Sequence, residues 1–200
     1  MDAIIELPQP RTTGGKPLMD CLKERHSTRT YTKEEVPLQE LSNVLWAAFG
    51  LTRQDAGTGI GIPGSHTAPT ACNAQSVDVY VALPDGVYLY KPHAHVLQPV
   101  LAGDIRESLF HPAQAFVLDA PVHLLYVVDQ ARTISGGTWD RQVMSFADSA
   151  FMAENVYLYC ACAKLGTVIR AMIDREKLSE LLQLRPEQMV TLSQTVGYEG

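Results

Sequence analysis

Residues 145–166 read SFADSAFMAENVYLYCACAKLG and are apolar on almost every side. An amphipathic surface helix would show one apolar stripe, so a helix apolar all round must be buried on most of its surface. The Gly166 stop and the absence of proline predict one long helix. In a chain of 200 residues, half of that burial can come from a second copy, so the segment predicts a homodimer with this helix at its interface. Its cysteines, Cys160 and Cys162, are two positions apart and therefore point in different directions.

The segments around it supply strands. Residues 77–83, VDVYVAL, alternate with period two, and Pro84-Asp85-Gly86 links them to VYLYK at 87–91, a strong hairpin signal. Val96 to Val100 predicts a weaker third strand. PVHLLYVVD at 121–129 is a near-continuous apolar run and reads as a central strand. MVTLSQTVGY at 189–198 reads as the last one. Helices are predicted from Pro17 to about His26, with Leu18, Cys21 and Leu22 on one face, and from Pro37 to Gly50, with Leu38, Leu41, Val44, Leu45 and Ala48 at helical spacing. Shorter ones are expected at 104–110 and 174–183. Residues 1–15 read as an extended arm, and 52–66 as a mobile glycine-rich loop. The whole predicts an α+β fold, a sheet flanked by helices, in a single domain spanning 1–200.

Sixteen Lys+Arg stand against 22 Asp+Glu, a net charge of -6. That excludes a general nucleic-acid binder, which needs surplus cations along phosphates, and a polybasic membrane anchor. No run approaches the ~18–20 apolar residues of a membrane span. The start lacks the basic and apolar regions of a signal peptide, so the expected location is cytoplasmic. There the four cysteines, Cys21, Cys72, Cys160 and Cys162, are expected as reduced thiols.

Several motifs carry little chemistry. Gly59-Ile-Gly61-Ile-Pro63-Gly64 matches GxGxxG, but a helix precedes it and a loop follows, the wrong context for dinucleotide binding. His93-Ala94-His95 has no cysteine or carboxylate cluster to complete a metal shell and reads as turn histidines, so no metal is expected. No nucleophile elbow is present. Three other segments are more informative. Glu24-Arg25-His26-Ser27-Thr28-Arg29-Thr30-Tyr31 gathers cations and hydroxyls where the first helix ends. It suits either a phosphate grip or a solvated helix C-terminus. Thr67-Ala68-Pro69-Thr70-Ala71-Cys72-Asn73-Ala74-Gln75 combines small residues with amides, and reads as a flat-ligand contact or a strand-entry turn. Lys164 to Met172 crosses from the long helix to the next element. Its Arg170, among apolar neighbours, is either buried with an electron-rich partner or snorkels outward.

In order along the chain, Arg25-His26-Ser27-x-Arg29, Leu45-Trp46-Ala47-Ala48-x-Gly50, Ala68-Pro69-Thr70-Ala71-x-Asn73-x-Gln75, Asn155-Val-Tyr-Leu, Leu165-Gly166 and Val196-Gly197-Tyr198 resemble the nitroreductase family of FMN-dependent oxidoreductases. The branch with azoline-peptide dehydrogenases and small nitroreductase-like proteins is the most similar. The resemblance implies a mainly antiparallel sheet, an obligate homodimer, and two FMN sites at its interface. It implies that Arg25, His26, Ser27 and Arg29 contact the FMN phosphate, ribityl chain and pyrimidine edge. It implies that Pro69, Thr70, Ala71 and Asn73 approach from the other subunit, Thr70 replacing the usual serine. Ile169, Arg170 and Ala171 would line the flavin face with backbone donors, and Gln114 falls where an amide often lies. No side chain need be a nucleophile, because the cofactor carries the hydride chemistry. NADH or NADPH would reduce it, and a small acceptor such as a nitroaromatic or quinone would reoxidise it in ping-pong fashion. A flavin dehydrogenase acting on a peptide or small metabolite, and a flavin-binding redox sensor without turnover, are the alternatives. Two departures stand out. Gly197-Tyr198-Glu199-Gly200 lacks the basic pair many members carry there, and Ala171 stands near where many have an acid.

Overall fold

The computed structural model describes residues 3–54, 63–133 and 136–200. Seven strands form one sheet: β1 (Ile5–Glu6), β4 (Val77–Leu83), β5 (Gly86–Lys91), β6 (Val96–Ala102), β7 (Val122–Asp129), β8 (Gly166–Arg170) and β9 (Gln188–Gly197). Their order is β1-β6-β5-β4-β7-β9-β8, and every neighbouring pair is antiparallel. Two short strands, β2 (Leu51–Arg53) and β3 (Ser65–His66), pair separately. The helices are α1 (Leu18–Glu24), α2 (Leu38–Phe49), α3 (Thr138–Ala163) and α4 (Arg175–Leu181). The α+β fold with its antiparallel sheet is as the sequence indicates.

β7 explains the layering. All eight of its residues are buried, which is why it reads as a continuous apolar run. Strand alternation sends successive side chains to opposite faces. Val122, Leu124, Tyr126 and Val128 join α2 and α3 in the larger core, with Val44, Leu45, Met152 and Val156. Leu125 and Val127 join the smaller core on the other face, with Leu109, Val117, Leu178 and Leu182. The sheet is thus covered on one face by α2 and α3. On the other lie α4 and two 3-10 segments, at 106–109 and 112–118. Burial of each such side chain is worth ~1.5–3 kcal/mol.

Four details depart from the sequence reading. The segment 166–170 is a strand, not a mere crossing, and pairs with β9 along its whole length. α3 begins seven residues earlier than its apolar run, at Thr138, because its first turns lie on the surface. Of the predicted α1 face only Cys21 is buried, while Leu18, Met19 and Leu22 are exposed. His95 is no free turn histidine: its ring meets Ser42 and the Pro8 carbonyl on one side and the Tyr90 hydroxyl on the other, and so fastens the N-terminal arm. That arm is extended, and β1 pairs with β6. Most of the glycine-rich loop, including Gly59 and Gly61, lies outside the described residues; its ends are β2 and β3.

Candidate functional site

β8 is the last strand of the sheet, so its outer edge offers unpaired backbone groups. The segment after α1 lies along that edge. The Thr28 N–H donates to the Thr167 carbonyl (3.0 Å), and Tyr157 from α3 accepts the Ile169 N–H at its hydroxyl (3.0 Å). The same hydroxyl bonds Ser27 Oγ (2.9 Å). One tyrosine therefore joins two predicted segments, 25–29 and 169–171, that are far apart in sequence. Gly166 makes the approach possible, because a Cβ there would sit 2.6 Å from Thr28 Cγ2. This is a physical reason for glycine in Leu165-Gly166.

Two arginines at this edge keep their charge available. The Arg25 guanidinium lies over the Tyr157 ring, 5.2 Å from its centroid. Among the described residues, exposed Arg29 reaches only the Ser27 carbonyl, at 3.4 Å. Among the described residues neither forms an ion pair. His26 differs. Its Nδ1 bonds the Glu24 carbonyl and its Nε2 bonds Glu199 (3.2 Å), and these two contacts push its pKa up. Glu199 thus holds one member of the predicted cationic cluster.

The second segment is gripped by α3 from the other direction. Asn155 Nδ2 donates to the Thr67 carbonyl (3.1 Å), and the Ala71 N–H donates to the Asp148 carboxylate (3.2 Å). Asp148 is buried, and desolvation raises its pKa to about 6 against the smaller opposing effect of the Ala71 bond. Asp148 and Asn155 are seven residues apart, two helical turns, and so share a face. Within the turn, Thr70 Oγ1 accepts the Gln75 N–H (3.1 Å). Asn73 Nδ2 donates to the Gly64 carbonyl (3.1 Å), and its Oδ1 accepts from Gln75 Nε2 (3.3 Å). Cys72, Asn73 and Gln75 all have positive φ, near +50°. Pro69 is exposed at the entrance to this turn.

Arg170 does not snorkel. It is 3% exposed, and its guanidinium donates to the Leu109 carbonyl (3.1 Å), Gln114 Oε1 (3.3 Å) and Ser193 Oγ (3.0 Å). Burial lowers its pKa to about 10. Gln114 is thereby placed beside Arg170, on the sheet face opposite the helix layer, whereas Ile169 packs toward that layer. Ala171 follows at the exposed end of the strand. Nearby His123 is fully buried, and desolvation drives its pKa down to about 3.

Tyr157 and Asp148 organise the site, although neither is among the residues that the sequence marks for the cofactor. A signal for Asp148 was present: an acid in a largely apolar helix stretch, two turns before the motif residue Asn155. Tyr157 lies in the Asn155-Val-Tyr-Leu motif, but nothing in that motif tells which remote segments meet its hydroxyl. Among the described residues no group of three or more His, Cys, Asp or Glu is placed to hold a metal ion. No described helix is long and apolar enough to cross a membrane.

Comparison with known proteins gives concordant results. The family model described as Nitroreductase family matches residues 22–198. A nitroreductase-like protein of Methanocaldococcus jannaschii is 31% identical over 179 residues, covering 84% of this chain and 85% of its own. A crystal structure of a nitroreductase-like protein from Ralstonia eutropha JMP134 superposes with a TM-score of 0.89 at 40% identity, covering 98% of this chain and 90% of that one. The NADPH:FMN oxidoreductase of Vibrio harveyi, solved with NAD+, shares the fold alone: TM-score 0.66 and 17% identity, over 91% of this chain and 68% of that one.

Proposed function

The chain belongs to the nitroreductase family, and from that premise we propose that it is an FMN-dependent oxidoreductase of the cytoplasm, a homodimer of single-domain subunits that passes reducing equivalents from NADH or NADPH to a small acceptor. The observation that carries this reading is the pair Arg25 and Arg29, beside the outer edge of β8 and without a carboxylate partner among the described residues. The donor set fits the cofactor. Guanidinium forks match a phosphate, and a hydroxyl, Ser27, is held next to them by Tyr157. Small residues at 69–71 suit the approach of a flat ring system.

In this reading Arg25 and Arg29 hold the phosphate, with His26 drawn partly away by Glu199. Ser27 and the backbone at Ile169 to Ala171 orient the ring. Pro69, Thr70, Ala71 and Asn73 approach it from the second subunit and help exclude water. Arg170 and Gln114 support the strand from behind. When bound, FMN would supply the hydride chemistry, accepting from the nicotinamide and delivering to the acceptor in turn. The exposed apolar side chains Leu18, Met19 and Leu22 on α1 and Trp139, Val143 and Phe151 on α3 support the dimer. So many large apolar groups in one helix layer favour a covered interface over a wet surface.

Reconstitution with FMN tests the proposal. The expected result is a yellow, dimeric protein that bleaches with NADH or NADPH and recovers colour when a quinone or nitroaromatic is added. Failure to take up FMN would overturn it. Flavin that binds but is never reduced would mark a flavin-binding protein without turnover. Ala171, lying where many relatives have an acid, makes the acceptor screen informative about substrate class.

A further inference from the structure

We propose that Cys162 and Cys21 form a peroxide-reactive thiol pair, in which Cys162 is oxidised first and Cys21 then closes an intramolecular disulfide between α3 and α1. This does not rest on the flavin reading. Its basis is Lys16, where the N-terminal arm meets α1. The Lys16 N–H donates to Cys162 Sγ at 3.1 Å, and Cys21 Sγ contacts the Lys16 carbonyl at 3.8 Å. The two sulfurs are therefore both held on the backbone of one residue, one at its N–H and the other at its carbonyl.

The surroundings assign different roles to the two. Cys162 is partly exposed and lines a pocket of about 440 Å³ with Arg11, Thr12, Thr13 and Trp46. That is ample for a peroxide, since a water occupies ~30 Å³. Gly15 packs directly against the sulfur: a Cβ there would lie 2.7 Å from Cys162 Sγ, and φ is +89°. The Lys16 ammonium interacts electrostatically with both sulfurs while it bonds Glu24 and the Ala161 carbonyl. A backbone donor and partial exposure make Cys162 the accessible thiol of the pair. Cys21 is buried, and burial pushes its thiol pKa up, so it is the slower nucleophile and suits the second step. Cys160 is fully buried and bonded near Thr167, and Cys72 is exposed on the 71–73 turn; neither has this setting.

The chemistry balances. Cys162 sulfur attacks one oxygen of hydrogen peroxide, the O–O bond breaks, and the departing hydroxide leaves as water with the thiol proton. Cys162 is then a sulfenic acid. Cys21 sulfur attacks that sulfur, the S–O bond breaks as S–S forms, and a second water carries away the Cys21 proton. Two thiols lose two electrons and one peroxide gains them. The product ties the root of the Arg25–Arg29 segment to α3.

The test treats the reduced full-length chain with stoichiometric hydrogen peroxide, blocks free thiols, and maps the peptides by mass. Expected is the loss of two of four thiols, a mass lower by two hydrogens, and a Cys21–Cys162 linked peptide. In Cys21→Ser, dimedone should trap a sulfenic acid at Cys162. In Cys162→Ser, neither linkage nor trapping at Cys21 should occur. Cys72→Ser should behave as the parent. Cys162 remaining reduced while Cys72 is oxidised, or a linkage that excludes either member of the pair, would overturn the assignment.

Discussion

The two segments proposed for the cofactor treat their polar groups in opposite ways. In residues 25–29 two guanidinium groups make no ion pair among the described residues: Arg25 rests on a ring and Arg29 touches one carbonyl. Residues 67–75 satisfy their groups internally or against α3. Thr70 takes the Gln75 N–H, Asn73 links Gly64 to Gln75, and Asp148 takes the Ala71 N–H. The first segment therefore offers charge, and the second offers shape. A ligand gripped by the first should be sensitive to single charges. The second should be sensitive to whatever holds its backbone, even where the side chain meets no ligand.

The sharpest way to break this contrast is the Arg25→Ala/Arg29→Ala pair. Each charge-assisted bond to a phosphate is worth ~1.5–3 kcal/mol, and ~1.4 kcal/mol is tenfold in affinity. FMN affinity, read by quenching of flavin fluorescence, should fall by roughly a hundredfold or more. Riboflavin, which lacks the phosphate, should bind the parent and the variant alike. Equal loss of both ligands would mean that the arginines act on the fold rather than on the phosphate.

Asp148 tests the other half. Its folded pKa is raised to about 6, chiefly by desolvation, from an ordinary value of 3.8. The folded chain then binds this proton more tightly than the unfolded chain, so stability from this group declines as pH rises from about 4 through 6. His123 acts in the opposite sense. Its folded pKa is depressed to about 3 from 6.5, so stability is lost as pH falls through that interval. Asp148→Asn still offers an oxygen to the Ala71 N–H. Between about pH 4 and 6 the two effects oppose each other, so denaturation midpoints of this variant should climb with pH through that window more steeply than the parent's, following His123 alone. A midpoint profile identical to the parent would remove Asp148 from the turn's control.

Much of the fold was legible because burial imposes periodicity. The hairpin at 77–91 shows two strand-forming runs around a Pro84-Asp85-Gly86 turn, and β7 is apolar throughout because both of its faces are covered. β8 escaped because Gly166-Thr-Val-Ile-Arg170 is short and follows a helix directly, with little alternation to read. The environment of Arg170 was undecidable in sequence: its carbonyl partner, Leu109, is 61 positions away. The segments of the site were legible as motifs, but not the contacts that assemble them. Tyr157 lies inside a long apolar helix, where a tyrosine counts as one more large side chain until Ser27 and Ile169 are brought to its hydroxyl.

The smallest expected effect concerns Cys72, which lies in the left-handed region with φ 51° and ψ 27° and is exposed. A non-glycine residue there costs ~1–2 kcal/mol, whereas glycine is free of that penalty but loses ~0.4–1 kcal/mol more entropy on folding. Cys72→Gly should therefore stabilise the chain by up to about 1 kcal/mol, a rise of ~2–4 °C in Tm. FMN affinity should stay unchanged, because a turn that contributes shape keeps its backbone path when its strain is relieved. A variant that melts higher but binds FMN less tightly would show the reverse: the side chain at 72, and not the path alone, belongs to the site. A variant that melts lower would mean that the exposed thiol makes a stabilising contact in the dimer.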